Sequence, residues 1–164
     1  MSLVWLIGMP GSGKSTVGRT VADRLGAEFV DVDGEVERRA GKQVHAIFES
    51  DGEAAFRSLE ADVIRGLASR DGVVVACGGG AVLDPETRER MRSSGTVVLL
   101  EAPIEALAAR LGAASETRPL VRAPGDLERL ASERVAFYRA AAHVTVDAAA
   151  GPAEIAAQIA EALS

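Results

Sequence analysis

The feature that most constrains this chain is the segment Gly8-Met9-Pro10-Gly11-Ser12-Gly13-Lys14-Ser15, which fits the pattern GxxxxGK(S/T). An apolar run at 3–7 precedes it and an amphipathic stretch at 14–25 follows, so it stands between a strand and a helix, the context the motif requires. There the glycines let backbone N–H groups turn inward around phosphate oxygens, and the helix beginning at Lys14 adds the positive end of its dipole. Gly11, Ser12, Gly13, Lys14, Ser15 and Thr16 are therefore expected to hold a nucleoside triphosphate, with ATP favoured. Lys14 would reach the β- and γ-phosphates, and the Ser15 hydroxyl would bind Mg²⁺. A dinucleotide site fits worse: Gly11 and Gly13 begin the GxGxxG pattern, but Thr16 stands where its third glycine is needed.

Apolar runs and amphipathic stretches go on alternating along the chain, which is the pattern of βαβ units and a parallel sheet. Strands are expected at 3–7, 28–32, 73–77, 96–101 and 144–146, and helices at 14–25, 34–40, 51–69, 85–93, 104–111, 127–141 and 152–163. The expected fold class is thus α/β, with helices on both faces of the sheet. With 164 residues, 48% of them apolar, the chain can bury one core, and a single domain over 1–164 is expected. Ser50 with Glu53 reads as a capping box, Asp84 precedes Pro85 at a first-turn position, and Gly151-Pro152 opens a last helix. The stretch 112–125, with two Pro and two Gly, suits no element and reads as a mobile lid loop.

A net charge of −6 argues against nucleic acid as a partner. The run at 3–7 is far too short to cross a bilayer, so no membrane association is expected. Cys77 is the sole cysteine and cannot form an internal disulfide, which fits a cytoplasmic location. No long heptad calls for a partner, so a monomer is expected. His45 and His143 have no metal-ligand neighbours in sequence and read as surface or structural residues.

Phosphate loops serve GTPases, motor ATPases and small-molecule kinases, and other segments choose among them. A guanine signature is missing: Lys42, the only lysine besides Lys14, is followed by Gln43-Val44-His45. A motor ATPase needs an acid after a hydrophobic strand, and here 73–77 runs into Gly78-Gly79-Gly80. The second strand supplies acids instead, in Phe29-Val30-Asp31-Val32-Asp33, at the carboxyl edge where open α/β sheets bind ligands. Because side chains alternate along a strand, Asp31 and Asp33 are expected to point to the same side, letting one support Mg²⁺ and the other accept a hydroxyl proton. Gly78, Gly79 and Gly80 end another strand at that edge and admit a small ligand close to bare backbone. Arg57, Arg118 and Arg134 together suggest a polyanionic site, with Arg118 able to close on the transferring phosphoryl charge.

With these segments in this order, the chain resembles the shikimate kinases over nearly its whole length. The most specific stretches are Asp31 to Glu37, Ile47 to Glu60, Gly78 to Val82 and Thr117 to Leu120. The resemblance implies a P-loop fold of three α/β/α layers with strand order 2-3-1-4-5, a lid near 112–125, and a substrate-binding helical segment near 33–60. It implies ATP-dependent phosphorylation of the 3-hydroxyl of shikimate, a step of aromatic amino acid biosynthesis, with Mg²⁺. By that likeness Asp33 orients or deprotonates the attacking hydroxyl, while Asp31 supports Mg²⁺ with Ser15. Arg57 and Arg134 pair with the carboxylate, Phe48 and Phe56 line the pocket, and Gly78, Gly79 and Gly80 contact ring hydroxyls. Arg118 comes down on the phosphates and Arg110 lies over the adenine. Where the family commonly places a basic or polar residue before the last helix, this chain has Ala148-Ala149-Ala150. The alternatives are a gluconate-type sugar-acid kinase, which would not be expected to carry the segments at 56–60 and 78–82, and a nucleotide-binding module without catalysis.

Overall fold

The sheet is built from runs of Val, Leu and Ile too short to be helices and apolar on both faces, the composition of strands that helices cover from either side. In the computed structural model, which describes residues 2–113 and 125–164, these runs are β1 (Leu3–Ile7), β2 (Glu28–Asp31), β3 (Val73–Ala76), β4 (Gly95–Glu101) and β5 (Val144–Asp147). They form one sheet in the order β2-β3-β1-β4-β5. Every neighbouring pair is parallel, as with Val4 beside Val74 and Thr96. The strand order is the one the family resemblance implied.

Eight α-helices accompany the strands among the described residues: α1 (Lys14–Leu25), α2 (Val32–Ala40), α3 (Val44–Asp51), α4 (Glu53–Leu67), α5 (Pro85–Ser94), α6 (Ile104–Ala113), α7 (Asp126–Ala141) and α8 (Pro152–Leu163). Alternation along β1 divides the core into two layers. Leu3, Trp5 and Ile7 face α4, α5 and α7, where they meet Val63, Met91 and Leu130. Val4 and Leu6 face α1 and α8, where they meet Val21 and Ile155.

Asp84 caps α5, accepting from the Glu86 amide at 3.0 Å with Pro85 at the first helical position, and Pro152 likewise opens α8. Three expectations need correction. The helix at 51–69 begins only at Glu53, as α4, and an unexpected helix, α3, precedes it and ends at Asp51, the two being divided at Gly52 with φ +88°. The capping box does not form: Ser50 instead donates to the Ala46 carbonyl at 2.8 Å and accepts from Lys42 at 2.7 Å. β2 stops at Asp31, because the Asp31 carboxylate accepts the Asp33 amide at 3.2 Å and starts α2 there. At 112–125, Gly112 and Ala113 continue α6 and Gly125 caps α7, while the rest of the expected lid, Arg118 included, lies outside the described residues.

Trp5 is wholly buried and donates its indole N–H to the Ser94 hydroxyl at 3.0 Å. Ser94→Ala strands that donor, and the variant is expected to lose about 1–3 kcal/mol of stability. Denaturant melts followed by the fluorescence of this single tryptophan measure the loss. His143 is structural as expected, its Nδ1 accepting the Val97 amide at 2.9 Å.

Candidate active site

The site lies at the carboxyl edge of the sheet, where β1, β2 and β3 end side by side. The turn after β1 holds Gly11 at φ +84° and Gly13 at φ +86°, conformations that favour glycine, and this curls the loop over the start of α1. Lys14 Nζ donates to the Gly8 and Met9 carbonyls at 2.9 and 3.0 Å, which holds the ammonium across the mouth of the loop. Ser12 is buried in the loop, while Thr16 is exposed on the first turn of α1. Arg110, on α6, donates to the Gly11 and Ser12 carbonyls at 3.4 and 3.3 Å and also to the Ala148 carbonyl. One guanidinium thus ties the phosphate loop to the loop before α8.

Ser15 and Asp31 meet as expected, the hydroxyl donating to Asp31 Oδ2 at 3.1 Å. Asp33 is close by, but not through strand alternation, because it occupies the first turn of α2. A hydroxyl and a carboxylate are hard oxygen donors. Among the described residues no group of three or more His, Cys, Asp or Glu could enclose a metal. That pairing fits Mg²⁺, which keeps several waters and takes the rest of its ligands from phosphate, better than it fits a metal caged by protein.

The glycine run after β3 owes its composition to space. A Cβ on Gly78 would lie 2.6 Å from Glu60 Oε2 and 3.1 Å from Asp33 Oδ1. One on Gly79 would meet Arg134 Nη1 at 3.0 Å and Pro10 at 3.3 Å, and one on Gly80 would strike Arg57 Nη2 at 2.3 Å. The turn is therefore the floor on which α2, α4 and α7 bring their charged groups together. Protein side chains cover much of the backbone that the sequence suggested was bare, and Tyr138 donates to the Gly79 carbonyl.

Arg57 projects from α4 and is held by Glu60 at 2.9 Å and by Glu53 at 3.5 Å, with its guanidinium 5.2 Å from the Phe56 ring centre. Arg134 is only 3% exposed, far more buried than a lone arginine normally is. Phe56 is buried and stacks at 42° against Phe48, ring centres 5.0 Å apart, giving the site an apolar wall. Burial pushes the Glu60 carboxyl above the usual range even though Arg57 pulls it down. Burial likewise raises the Cys77 thiol well above its ordinary value, which makes it an inert packing residue.

Glu60 and Tyr138 went unnoticed in the sequence. Each stands on the same helix face as an arginine, Glu60 three residues after Arg57 and Tyr138 four after Arg134, and that spacing was the available signal.

A phosphate-binding loop on a five-stranded parallel sheet, facing a second pocket lined by arginine, aspartate and glycine, defines a small P-loop kinase domain. A model of the shikimate kinase family matches residues 10–164. A shikimate kinase of Halorhodospira halophila is 43% identical over 166 aligned positions, covering 99% of this chain and 93% of that one. One from Pseudoalteromonas translucida is 45% identical over 147, covering 87% and 85%. The solved structure of the shikimate kinase from Acinetobacter baumannii in complex with shikimate superposes with a TM-score of 0.94 at 36% identity, covering 99% of this chain and 93% of that one. This chain belongs to the shikimate kinase family.

Proposed function

We propose that the chain transfers the γ-phosphoryl group of ATP to the 3-hydroxyl of shikimate, giving shikimate 3-phosphate and ADP. The observation that carries this reading is the meeting of Arg57, Arg134 and Asp33 around one glycine turn, beside a phosphate loop. A small hydroxylated carboxylate needs a forked cation at one end and hydrogen-bond acceptors at the other, and this arrangement supplies both.

Shikimate lies against the wall formed by Phe48 and Phe56, its carboxylate on Arg57 and Arg134 and its ring hydroxyls toward Asp33 and the backbone of Gly78, Gly79 and Gly80. Asp33 orients the attacking hydroxyl and accepts its proton. Gly11, Ser12, Gly13, Lys14, Ser15 and Thr16 hold the ATP phosphates, and Lys14 neutralises charge on the group in transit. Ser15, supported by Asp31, would hold Mg²⁺, which when bound neutralises the phosphate oxygens and fixes their orientation. Arg118 supplies a further cation to the transferring group. Arg110 braces the base side of the nucleotide through the contacts it makes with the loop carbonyls.

No helix among the described residues is long and apolar enough to cross a membrane, and the only cysteine is buried. Both support a cytoplasmic enzyme working on freely diffusing substrates. A monomer is supported by the exposed large apolar residues, which among those described are Val135 and Phe137 alone.

A coupled ADP-release assay with shikimate and with gluconate tests the reading. Turnover of shikimate is expected, whereas turnover of gluconate alone, or nucleotide binding with no turnover, would reject it. Arg57→Ala is expected to raise KM for shikimate by about a hundredfold with a smaller change in kcat, because the carboxylate contact is made equally in ground and transition states. An unchanged KM would remove Arg57 from the site. Gly80→Ala acts on the same contact from below. The colliding atom is the far end of a flexible side chain, so the fold survives while Arg57 is displaced. KM is expected to rise by roughly tenfold with little change in Tm.

A further inference from the structure

Glu60 is a buried carboxyl group to which the proposed phosphoryl transfer gives no role. It is 2% exposed on α4, where Oε1 accepts from Arg57 at 2.9 Å and Oε2 has no hydrogen-bond partner. Oε2 and Asp33 Oδ1 approach the same point beside Gly78, at 2.6 and 3.1 Å, so two carboxyl groups from different helices crowd one spot that only a glycine leaves open.

The charged and titratable groups around Glu60 come from every element packed there. Arg57 and, beyond it, Glu53 belong to α4; Asp33 comes from α2, Cys77 from the end of β3, and Arg134 and Tyr138 from α7. Asp84, at the start of α5, lines the cavity of about 260 Å³ that Glu60 and Arg57 also border. Among these groups Arg57 is the cation in direct hydrogen-bonded contact with Glu60, with Arg134 further off. Burial, first, and the Asp33 charge favour a protonated Glu60, while Arg57 and, more weakly, Arg134 work against them.

A substrate carboxylate on Arg57 changes this balance. It adds a negative charge to a region of low dielectric and divides the guanidinium between two anions. We propose that Glu60 takes up a proton from solvent when the carboxylate of shikimate binds Arg57, so that substrate affinity is linked to pH through this residue. The inference rests on the reading that Arg57 receives that carboxylate. One O–H bond forms on Glu60, its proton comes from the buffer, and no other bond changes. The protonated form suits the site, since it removes the repulsion between Glu60 and Asp33.

The sign follows from linkage. A group whose pKa rises on binding takes up protons between its free and bound values. Affinity is then full at the acidic side of that window and falls as pH increases through it, by up to about tenfold per pH unit. A purely structural ion pair between Glu60 and Arg57 predicts no such uptake.

Calorimetric titration of the full chain with shikimate, in buffers of different ionisation enthalpy and at pH steps from mildly acidic to mildly alkaline, counts the protons taken up. The wild type is expected to take up a measurable fraction of one proton, reaching a maximum within this range. Glu60→Gln keeps an oxygen for Arg57 and is expected to bind shikimate without uptake and with a flattened pH profile of KM. Glu60→Asp keeps a titrating group and is expected to shift the uptake maximum along the pH axis; this variant carries the test if the glutamine variant fails to fold. Heats independent of buffer in the wild type, uptake unchanged in Glu60→Gln, or an unmoved maximum in Glu60→Asp would each overturn the proposal. Absence of shikimate binding at every pH is a different failure, which overturns the substrate reading and this inference with it.

Discussion

Lys14→Ala is expected to lower kcat/KM for ATP by roughly a thousandfold, the largest effect of any single replacement in this chain. The side chain spans the mouth of the phosphate loop, donating to the Gly8 and Met9 carbonyls at 2.9 and 3.0 Å. Its ammonium is therefore held beside the phosphate loop before nucleotide arrives. Removing it takes away a positive charge beside the phosphate loop and the hydrogen bonds to the Gly8 and Met9 carbonyls. Lys14→Arg is expected to rescue little, because a planar fork cannot occupy the place of a compact ammonium inside a tight glycine turn. Single-turnover phosphorylation at saturating ATP separates lost binding from lost chemistry, and a loss smaller than about tenfold would put the decisive cation elsewhere.

Asp33→Asn is expected to lower kcat by roughly two orders of magnitude while changing KM for shikimate far less. The replacement nearly conserves shape, and the Asp33 backbone amide keeps its bond to the Asp31 carboxylate, so the start of α2 should survive. What is lost is the charge and the capacity to accept a proton, at a place where Oδ1 lies 3.1 Å from the Gly78 β-position and faces the turn on which Arg57 and Arg134 meet. Steady-state kinetics with shikimate measure the change. Near-normal turnover would leave Asp33 only a binding role.

These two residues were legible in the sequence for different reasons. Lys14 belongs to a contiguous motif, in which every residue acts within one turn of its neighbours. Asp33 was placed near the right partners by the wrong route. Strand alternation was expected to pair it with Asp31, whereas the Asp31 side chain ends the strand and starts a helix. α3 was not expected at all, and its cap explains why: the Val44 amide is bound at 2.8 Å by Glu37 from α2, a partner outside the local window. The capping box failed for a similar reason, since Ser50 is engaged by Lys42 and by its own helix.

The sequence alone determined the phosphate loop and the alternation of strands and helices, because hydrophobic period and a fixed glycine spacing are local properties of the chain. Only the tertiary structure decided how the glycine turn is used. Gly78, Gly79 and Gly80 read in the sequence as bare backbone open to a ligand, and in the fold they give up their side-chain volume to charged groups carried by α2, α4 and α7. The same packing buries Arg134 and Glu60. The electrostatic character of the substrate pocket depends on which helices converge on that turn, and such convergence is set by the burial of the whole core rather than by any segment of the chain.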